Sequence, residues 1–314
     1  MLNQEFDPDS GIGLGIDAGG TQTRWALAAP GGAIIAAGHV AGLSALQMSS
    51  AAGRQTVHAT FSELAREVLS HGRPGRVRAG LTGFGGDGEQ LQRWLAELFQ
   101  VSPRCVKLCN DIEIAYLASF TPGEGYLVYA GTGSIGAFID GDGKFHRAGG
   151  RGVMLDDGGG GFWIAREALR HIWRNEDEQP GCWKDSPMAQ AVFDYIGGHD
   201  WSLSRQFIYA QERGEVGKLA LAVAASAGQD PAAERILCEA GQELARLALA
   251  LANRFGPRPV ALAGRASELH PSIAASMRAA LPPDTKLVHT GSQAHFAAAR
   301  LAASPAPSPN HNPT

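Results

Sequence analysis

The sequence predicts an α/β protein built from two similar lobes, and three observations support this prediction. Short apolar strands alternate with amphipathic helices along most of the chain. A strand–glycine turn–strand hairpin at residues 12–29 recurs at residues 126–140, which indicates an internal duplication. Glycine contributes 41 of the 314 residues, roughly 13% against an average of about 7%. These glycines cluster in a few loops, where a backbone can approach a ligand closely.

The repeated hairpin also gives the predicted domain boundaries. The second hairpin follows Thr121-Pro122-Gly123, so residues 1–120 are predicted to form an N-terminal lobe. Residues 121–302 are predicted to form a C-terminal lobe with helical insertions, whose last helix can pack back on the N-terminal lobe. The Pro/Ser-rich segment 303–314 is predicted to be a disordered tail.

Each predicted element follows from apolar periodicity and from the turn residues that separate the periodic segments. In the first half we predict strands at 13–16, 23–27, 33–40, 76–81 and 106–108, and helices at 51–69, 89–99 and 112–120. The helix at 51–69 carries one apolar face, formed by Val57, Phe61, Leu64 and Val68. In the second half we predict strands at 126–129, 135–140, 259–262 and 286–289, and helices at 162–174, 186–196, 216–227, 231–255 and 292–302.

Composition and charge argue against several classes of protein. The chain has no run of about 18 apolar residues that would cross a membrane, and its acidic N-terminus lacks the apolar core of a secretory signal. A net charge of −4 without a basic block argues against nucleic-acid binding. The cysteines show neither a CxxC pair nor zinc-ligand spacing, so we expect reduced thiols in a cytoplasmic protein. They are Cys105, Cys109, Cys182 and Cys238.

The two glycine turns have the composition of phosphate-binding loops. In the first, Asp17 ends a strand and could hold Mg²⁺ directly or through water. The amides of the turn could donate hydrogen bonds to phosphate oxygens, and a plain surface hairpin would need the glycines but not this aspartate. The second turn lacks the carboxylate, and two such turns indicate a nucleotide held between two lobes. The further residues predicted to bind it are Gly19, Gly20 and Thr21 in the first turn, and Gly131, Thr132, Gly133 and Ser134 in the second.

With these motifs in this order, residues 12–302 resemble the actin-like ATPase superfamily of sugar kinases and heat-shock ATPases. Within it the chain is similar to the BadF/BadG/BcrA/BcrD ATPase family, whose members include N-acetylglucosamine kinases. Residues 261–266, with Gly264, are similar to the adenosine loop of that superfamily, and residues 149–164 to the family's sugar loop. The resemblance implies two ribonuclease-H-like lobes around a nucleotide and sugar cleft, with ATP and Mg²⁺ as cofactors.

The resemblance also implies which residues perform the reaction. Phosphoryl transfer needs a carboxylate that orients the attacking hydroxyl and accepts its proton, and Asp111 matches the family's catalytic aspartate, with Asn110 beside it near the sugar. Without the resemblance, Asn110-Asp111 would be interpreted as the N-cap of the following helix. Asp157 matches a residue that contacts sugar hydroxyls, although an aspartate among glycines can also be a turn residue. The other residues implied on the sugar side are Thr82, Gly150, Arg151 and Gly152.

Three departures from the family pattern lie on the sugar side. Related N-acetylglucosamine kinases carry Trp where this chain has Arg151 and Glu where it has Gly158, and residues 42–47 offer no match to their substrate-binding Asn. Arg151 could instead pair with Asp156 or Asp157. The predicted function is ATP-dependent phosphorylation of N-acetylglucosamine, at the 6-hydroxyl by family resemblance, and the partner expected is a small-molecule amino sugar.

Other functions on the same fold stay open. A glucosamine kinase would share Asp111 and differ at the carbon-2 substituent. An ATPase activator of a 2-hydroxyacyl-CoA dehydratase would need cysteines placed to hold an iron–sulfur cluster between subunits, and none of the four follows that pattern. A sugar-responsive repressor is disfavoured because no helix-turn-helix module precedes Ile12 and the charge does not suit DNA. By analogy alone, the resemblance allows a homodimer.

Overall fold

The structure is a computed structural model that describes residues 11–86, 88–291 and 293–303. It divides into two compact units, one formed by the residues up to Ser119 and from Gln293 onward, the other by residues 120–292. Each unit contains a five-stranded mixed sheet. The α/β fold class predicted from the sequence is therefore confirmed.

The sheet of the first unit begins with an antiparallel hairpin and continues with parallel strands, in the order β3-β2-β1-β4-β5. One face is covered by α1, whose predicted apolar face is confirmed because Val57, Phe61, Leu64 and Val68 are all fully buried. Burying four such side chains stabilises the unit by several kcal/mol, at about 1.5–3 kcal/mol each. The strands are β1 (Gly13–Ala18), β2 (Gln22–Ala28), β3 (Ile34–Ala41), β4 (Arg76–Leu81) and β5 (Val106–Asn110), and the helices are α1 (Ala51–His71), α2 (Glu89–Phe99) and α3 (Asp111–Ser119).

The sheet of the second unit has the order β8-β7-β6-β9-β10. Its five strands follow one another in the same spatial order as the five strands of the first sheet. Here too the first two strands form an antiparallel hairpin, and the last two run parallel to the first. The repeat seen in the sequence thus corresponds to a repeated sheet topology. The strands are β6 (Tyr126–Ala130), β7 (Ser134–Ile139), β8 (Phe145–Gly149), β9 (Val260–Ala263) and β10 (Leu287–His289).

The longest insertion of the second unit, between β8 and β9, is largely helical, and α10 follows β9. The longest helix, α9, buries ten residues along one face. The segment predicted as one helix at 216–227 is two short helices, α7 and α8. The helices are α4 (Gly161–Glu178), α5 (Pro187–Ile196), α6 (Trp201–Ala210), α7 (Arg213–Lys218), α8 (Ala220–Ser226), α9 (Pro231–Phe255) and α10 (Pro271–Ala280).

Three elements were not predicted from the sequence, namely β8, α6 and α10. In β8 only Ala148 is buried, because the strand lies at the edge of its sheet. In α6 only Ser204 is buried. Neither segment therefore shows the apolar periodicity that sequence reasoning depends on. Within the described ranges, no helix is both long enough and apolar enough to cross a membrane.

The last helix, α11 (Ala294–Ala303), belongs to the first unit, so the predicted C-terminal lobe ends before it and not at residue 302. The helix packs on β1 and β2, burying Ala298 and Ala299. The fit depends on the glycines of β1, because a methyl group on Gly15 would lie 2.8 Å from the carbonyl carbon of Ala298. Ala303 ends this helix, and the rest of the predicted disordered tail lies outside the described residues.

Replacing Gly15 by alanine should therefore destabilise the first unit. The added methyl group meets the backbone of α11, which cannot move without losing its contacts with β1, so we expect a loss of about 3 kcal/mol in the free energy of unfolding. Urea denaturation measures it. The control is Gly31→Ala, which has no neighbouring atom within 4 Å and should change stability by less than about 0.5 kcal/mol. Equal denaturation midpoints for the two variants would contradict this packing.

Candidate active site

Three predicted site residues lie at the carboxyl edge of the first sheet. Asp17 lies near the end of β1, Thr82 directly follows β4, and Asp111 directly follows β5. These three strands are parallel neighbours, paired so that Asp17 is opposite Gly80 and Leu81 is opposite Asn110. Because the carboxyl ends of parallel strands meet at one edge, residues far apart in the sequence become neighbours. In α/β sheets this edge is where ligands bind.

A short hydrogen bond joins Thr82 to Asp111. The Thr82 hydroxyl donates to Asp111 Oδ2 at 2.6 Å, and the Thr82 amide donates to the carbonyl of Ala18 at 2.9 Å. The Thr82 carbonyl in turn accepts hydrogen bonds from the Ser44 hydroxyl at 3.1 Å and from the Ala45 amide at 2.9 Å. Thr82 is thus fixed by its backbone, and its hydroxyl orients one oxygen of the Asp111 carboxylate.

Asn110 and Asp111 also begin helix α3, as the capping interpretation predicted. The amide of Ile112 donates to Asn110 Oδ1 and to Asp111 Oδ1, both at 3.0 Å. The amide of Asn110 donates to Glu113 Oε1 at 3.3 Å, and its side-chain nitrogen donates to the carbonyl of Phe84 at 3.4 Å. Asn110 is therefore occupied with structural contacts. Asp111 caps the helix with one oxygen and presents the other to Thr82.

The two carboxylates at this edge are costly to ionise. Burial, together with the charge of Asp111, raises the pKa of Asp17 to about 6, while Arg24 on the neighbouring strand opposes the rise. Burial also raises the pKa of Asp111, against the hydrogen bonds from Thr82 and Ile112. A cation at this edge would stabilise both ionised forms.

The chemistry of this edge fits Mg²⁺ bound together with phosphate. Among the described residues, no cluster of three or more His, Cys, Asp and Glu side chains is placed to hold a metal ion. Mg²⁺ is typically held by one or two carboxylates, with water and substrate phosphates completing its shell. Asp17 is the carboxylate that would hold it here.

The first glycine turn is partly used by its own hairpin. The amide of Gly19 donates to the carbonyl of Gln22 at 3.1 Å, and the carbonyl of Gly19 accepts from the amide of Leu43 at 3.0 Å. Gly20 and Thr21 are exposed at the tip of the turn. Of the three residues predicted to bind phosphate here, Gly20 and Thr21 are the accessible ones, whereas the amide of Gly19 closes the turn.

The second glycine turn is held by the start of helix α4. The amides of Gly161 and Phe162 donate to the carbonyls of Gly131 and Thr132, at 2.8 and 2.9 Å. Ser134 was predicted to bind phosphate, but it is buried and its hydroxyl donates to the carbonyl of Gly158 at 2.7 Å. That hydroxyl joins the turn to the 149–160 loop, so the prediction for its side chain is corrected to a structural role.

Asp157 lies against this second turn. Its side chain is so close that a methyl group on Gly133 would lie 2.9 Å from the Asp157 carboxyl carbon. Asp157 is 8% exposed, and its Oδ1 accepts from the amide of Gly152 at 3.1 Å. Burial raises the pKa of Asp157, while the Gly152 hydrogen bond opposes the rise. Gly150 joins the same cluster, because its amide donates to the carbonyl of Ser134 at 3.1 Å.

Gly264 follows β9 and lies beside the beginning of the second turn. Strand β9 runs parallel to β6, with Ala263 opposite Tyr129. A methyl group on Gly264 would lie 2.7 Å from the carbonyl carbon of Ala130, so no other residue fits without moving a backbone. The structure thus brings the predicted adenosine-loop glycine to the second glycine turn.

The guanidinium of Arg151 forms no ion pair with either aspartate considered from the sequence, although its backbone amide donates to Asp157. Its side chain is exposed, whereas Asp156 pairs with Arg246 at 3.0 Å and Asp157 binds the Gly152 amide. Arg246, with Glu243 beside it on α9, was missed by sequence reasoning. No sequence signal could have found it, since it lies 90 residues from Asp156.

Comparisons with known proteins show what the chain is similar to. The model of the BadF/BadG/BcrA/BcrD ATPase family matches residues 14–281. An N-acetyl-D-glucosamine kinase of Dictyostelium discoideum is 32% identical over 108 residues, a match that spans only 33% of either protein. A proposed N-acetylglucosamine kinase of known structure from Chromobacterium violaceum is 27% identical, with a TM-score of 0.68 over 93% of this chain and 99% of that one. A ROK-family glucokinase from Streptomyces griseus, solved with glucose and AMPPNP, shares the fold at 19% identity, with a TM-score of 0.60 over 92% of this chain and 98% of that one.

The raised pKa of Asp17 predicts how its removal changes stability. In the folded protein the pKa is about 6, above the ordinary value of 3.8, so the folded state binds this proton more tightly than the unfolded chain. The resulting penalty on folding is absent below pH 3.8, grows as the pH rises to 6 and is complete above it. Asp17→Asn should therefore stabilise the ligand-free protein at pH 7.5 by about 1–3 kcal/mol.

Urea denaturation at several pH values between 4 and 8 measures this effect. The gain from Asp17→Asn should shrink as the pH is lowered from 6 toward 4. The control is Asp142→Asn on the exposed β7–β8 turn, which should change stability little at any pH. A loss of stability in Asp17→Asn at pH 7.5 would contradict the prediction.

Proposed function

The chain belongs to the BadF/BadG/BcrA/BcrD ATPase family, and from that premise we propose that it is a kinase that phosphorylates N-acetylglucosamine with ATP, at the 6-hydroxyl. The observation that supports the proposal most is the Thr82–Asp111 hydrogen bond at the sheet edge that also holds Asp17. The names of the Dictyostelium and Chromobacterium relatives point to the same amino sugar.

Asp111 is the general base in this proposal. Its Oδ2 would accept the proton of the sugar hydroxyl while the hydroxyl oxygen attacks the γ-phosphorus of ATP. The bond between that phosphorus and the β–γ bridging oxygen breaks, and ADP leaves with the electron pair of that bond. A pKa raised by burial suits a base, because it strengthens the affinity of the carboxylate for the proton.

The residues that would bind ATP come from both glycine turns. Gly20 and Thr21 would contact its phosphates from the first unit, and Gly131, Thr132 and Gly133 from the second. Gly264, beside Ala130, would lie near the adenosine. Mg²⁺, which Asp17 would hold, supplies neutralisation of the phosphate charge. The backbone amides of each turn would donate hydrogen bonds to phosphate oxygens.

In the second unit, the residues that would bind the sugar lie in the 149–160 loop. Asp157 is an acceptor, and its carboxylate would bind sugar hydroxyls. Gly150 and Gly152 shape the backbone next to it, and Arg151 is exposed at the same loop. Thr82 acts through Asp111, whose carboxylate it orients, and Asn110 supports the same strand end.

The alternatives receive less support. A glucosamine kinase would bind a cationic amine, which an exposed Arg151 beside Asp157 disfavours relative to a neutral acetamide. The activator function would need thiolates that bind iron, whereas burial raises the pKa of the Cys109 thiol to about 12. All four cysteines have free thiols, which fits the cytoplasmic location that we also propose.

The proposal is tested by measuring ADP release from Mg·ATP in the presence of each of a panel of acceptor sugars. N-acetylglucosamine should stimulate release more than glucosamine, N-acetylmannosamine or glucose, and NMR of the product should show phosphate on carbon 6. Asp111→Asn should lower kcat by about 10²–10⁴ and leave ATP binding nearly unchanged. The control is Glu113→Gln in the same helical turn. An Asp111→Asn variant that keeps half of the wild-type rate would contradict the assignment of Asp111 as the general base.

Thr82→Val should shift the pH profile of the reaction. The lost hydrogen bond had favoured the ionised form of Asp111, so the pKa of the carboxyl rises further and the base is protonated over a wider pH range. The acid limb of kcat/KM should therefore move upward by about one pH unit. Thr82→Ser keeps a hydroxyl and should retain the wild-type profile. Coincident profiles for valine and serine would show that the hydroxyl does not act on the base.

A further inference from the structure

The loop that carries Asp157 has a backbone that requires support. Asp157 has a φ of +57°, a left-handed conformation that residues other than glycine rarely adopt. The loop folds back on itself, since the amides of Leu155 and Asp156 both donate to the Gly152 carbonyl at 3.0 Å. Strained backbone of this kind persists only where surrounding contacts hold it. The contacts that hold Asp157 are thus part of how it would function.

Helix α9 supplies one such contact through Arg246. The guanidinium donates to Asp156 Oδ1 at 3.0 Å and to Oδ2 at 3.3 Å. Its Nε donates to Glu243 Oε2 at 2.8 Å, one turn earlier on the same helix. We call Arg246, Glu243 and Asp156 the α9 clamp. Through the clamp, α9 holds the residue immediately before Asp157.

Glu243 also reaches the residue immediately after Asp157. A methyl group on Gly158 would lie 2.7 Å from Glu243 Oε2 and 2.9 Å from its Cγ. The Glu243 side chain therefore lies across the Gly158 backbone, in space that any larger residue would fill. The clamp contacts both sequence neighbours of Asp157, one by an ion pair and the other by packing.

Charge makes Arg246 the member on which the clamp depends. Asp156, Asp157 and Glu243 bring three carboxylates to this region, and the charge of Asp156 disfavours ionisation of Asp157. Arg246 pairs with two of the three. A guanidinium that contacts two carboxylates at once fixes their geometry better than a single exposed pair does. Without it, Asp156 and Glu243 would repel each other and release the loop.

We propose that Arg246 is a positioning residue for the acceptor sugar. Through Asp156 and Glu243 it holds the Asp157 carboxylate in the orientation that binds sugar hydroxyls. This inference rests on the proposed function, in which Asp157 is a sugar ligand. Because Arg246 acts on binding of the sugar through another residue, its loss changes the sugar KM and not the transfer step.

The test compares Arg246→Ala with Arg235→Ala in the full-length protein. Arg235 is the matched control, because it lies on the same helix, is similarly exposed (52% against 48%) and pairs only with Glu239 of its own helix in the described part of the chain. Arg246→Ala should raise the KM for N-acetylglucosamine about 5-fold or more, with kcat and the KM for ATP changed less than about 2-fold. Arg246→Lys should lie between wild type and alanine, and Arg235→Ala should match wild type.

A second measurement is independent of turnover. Amide hydrogen exchange of residues 149–160 in the ligand-free protein should accelerate about 5-fold or more in Arg246→Ala and stay unchanged in Arg235→Ala. Faster exchange with an unchanged sugar KM would overturn the positioning role, as would an equal rise in KM for both variants. Unchanged exchange would overturn the clamp. A wild-type protein without sugar-stimulated turnover would instead overturn the proposed function, and with it the sugar role of Arg246.

Discussion

Thr82 joins the two strand ends on which the first half of the candidate site depends. Its amide is bonded to the end of β1 and its hydroxyl to Asp111 at the end of β5. β4 lies between these strands, so the residue that follows it is within reach of both. The parallel register thus places Asp17, near the end of β1, beside Asp111, the proposed base from a separate part of the chain. Neither carboxylate could occupy this position without the order β1-β4-β5.

The second unit also places a carboxylate beside its glycine turn, but the carboxylate comes from a different kind of segment. Its sheet has the same strand order, but its turn contains no carboxylate, and Asp157 is supplied by a loop that folds back onto the turn. This return requires that Gly133 has no side chain, because Asp157 lies in the space that a methyl group would fill, and Gly264 likewise lies against the backbone of Ala130. The duplicated topology therefore gives one unit an acidic strand end and the other an acidic loop. The glycine excess in the sequence is largely explained by such close approaches.

Features that depend on residues close together in the sequence could be predicted, whereas contacts between residues far apart in the sequence could not. The hairpins, α1 and the strand ends were predictable, because glycine turns and apolar periodicity are local signals. That the last helix can pack back on the N-terminal lobe was anticipated, but the strands it covers were not, because a helix of alanines carries no side chain that identifies its partner strands. Its only signal lay elsewhere, in Gly13 and Gly15 of β1. The pairing of Arg246 with Asp156 was also hidden, since exposed arginines are common and nothing in a sequence relates residues 90 positions apart. Sequence reasoning located the candidate site residues, but their supporting contacts required the structure.

Two buried aspartates of the second unit, Asp230 and Asp157, lie in different hydrogen-bonding environments. Asp230 is 5% exposed and Asp157 is 8% exposed. Asp230 accepts hydrogen bonds from the Ser186 hydroxyl and from backbone amides, among them Met188 at 3.0 Å and Ala232 at 2.9 Å, and these contacts lower its pKa despite burial. Asp157 has fewer such donors, and its pKa is raised. A carboxylate retained for stability would be expected to resemble Asp230. The environment of Asp157, with fewer donors and a raised pKa, differs from that of Asp230 and is compatible with the proposed role as a sugar ligand.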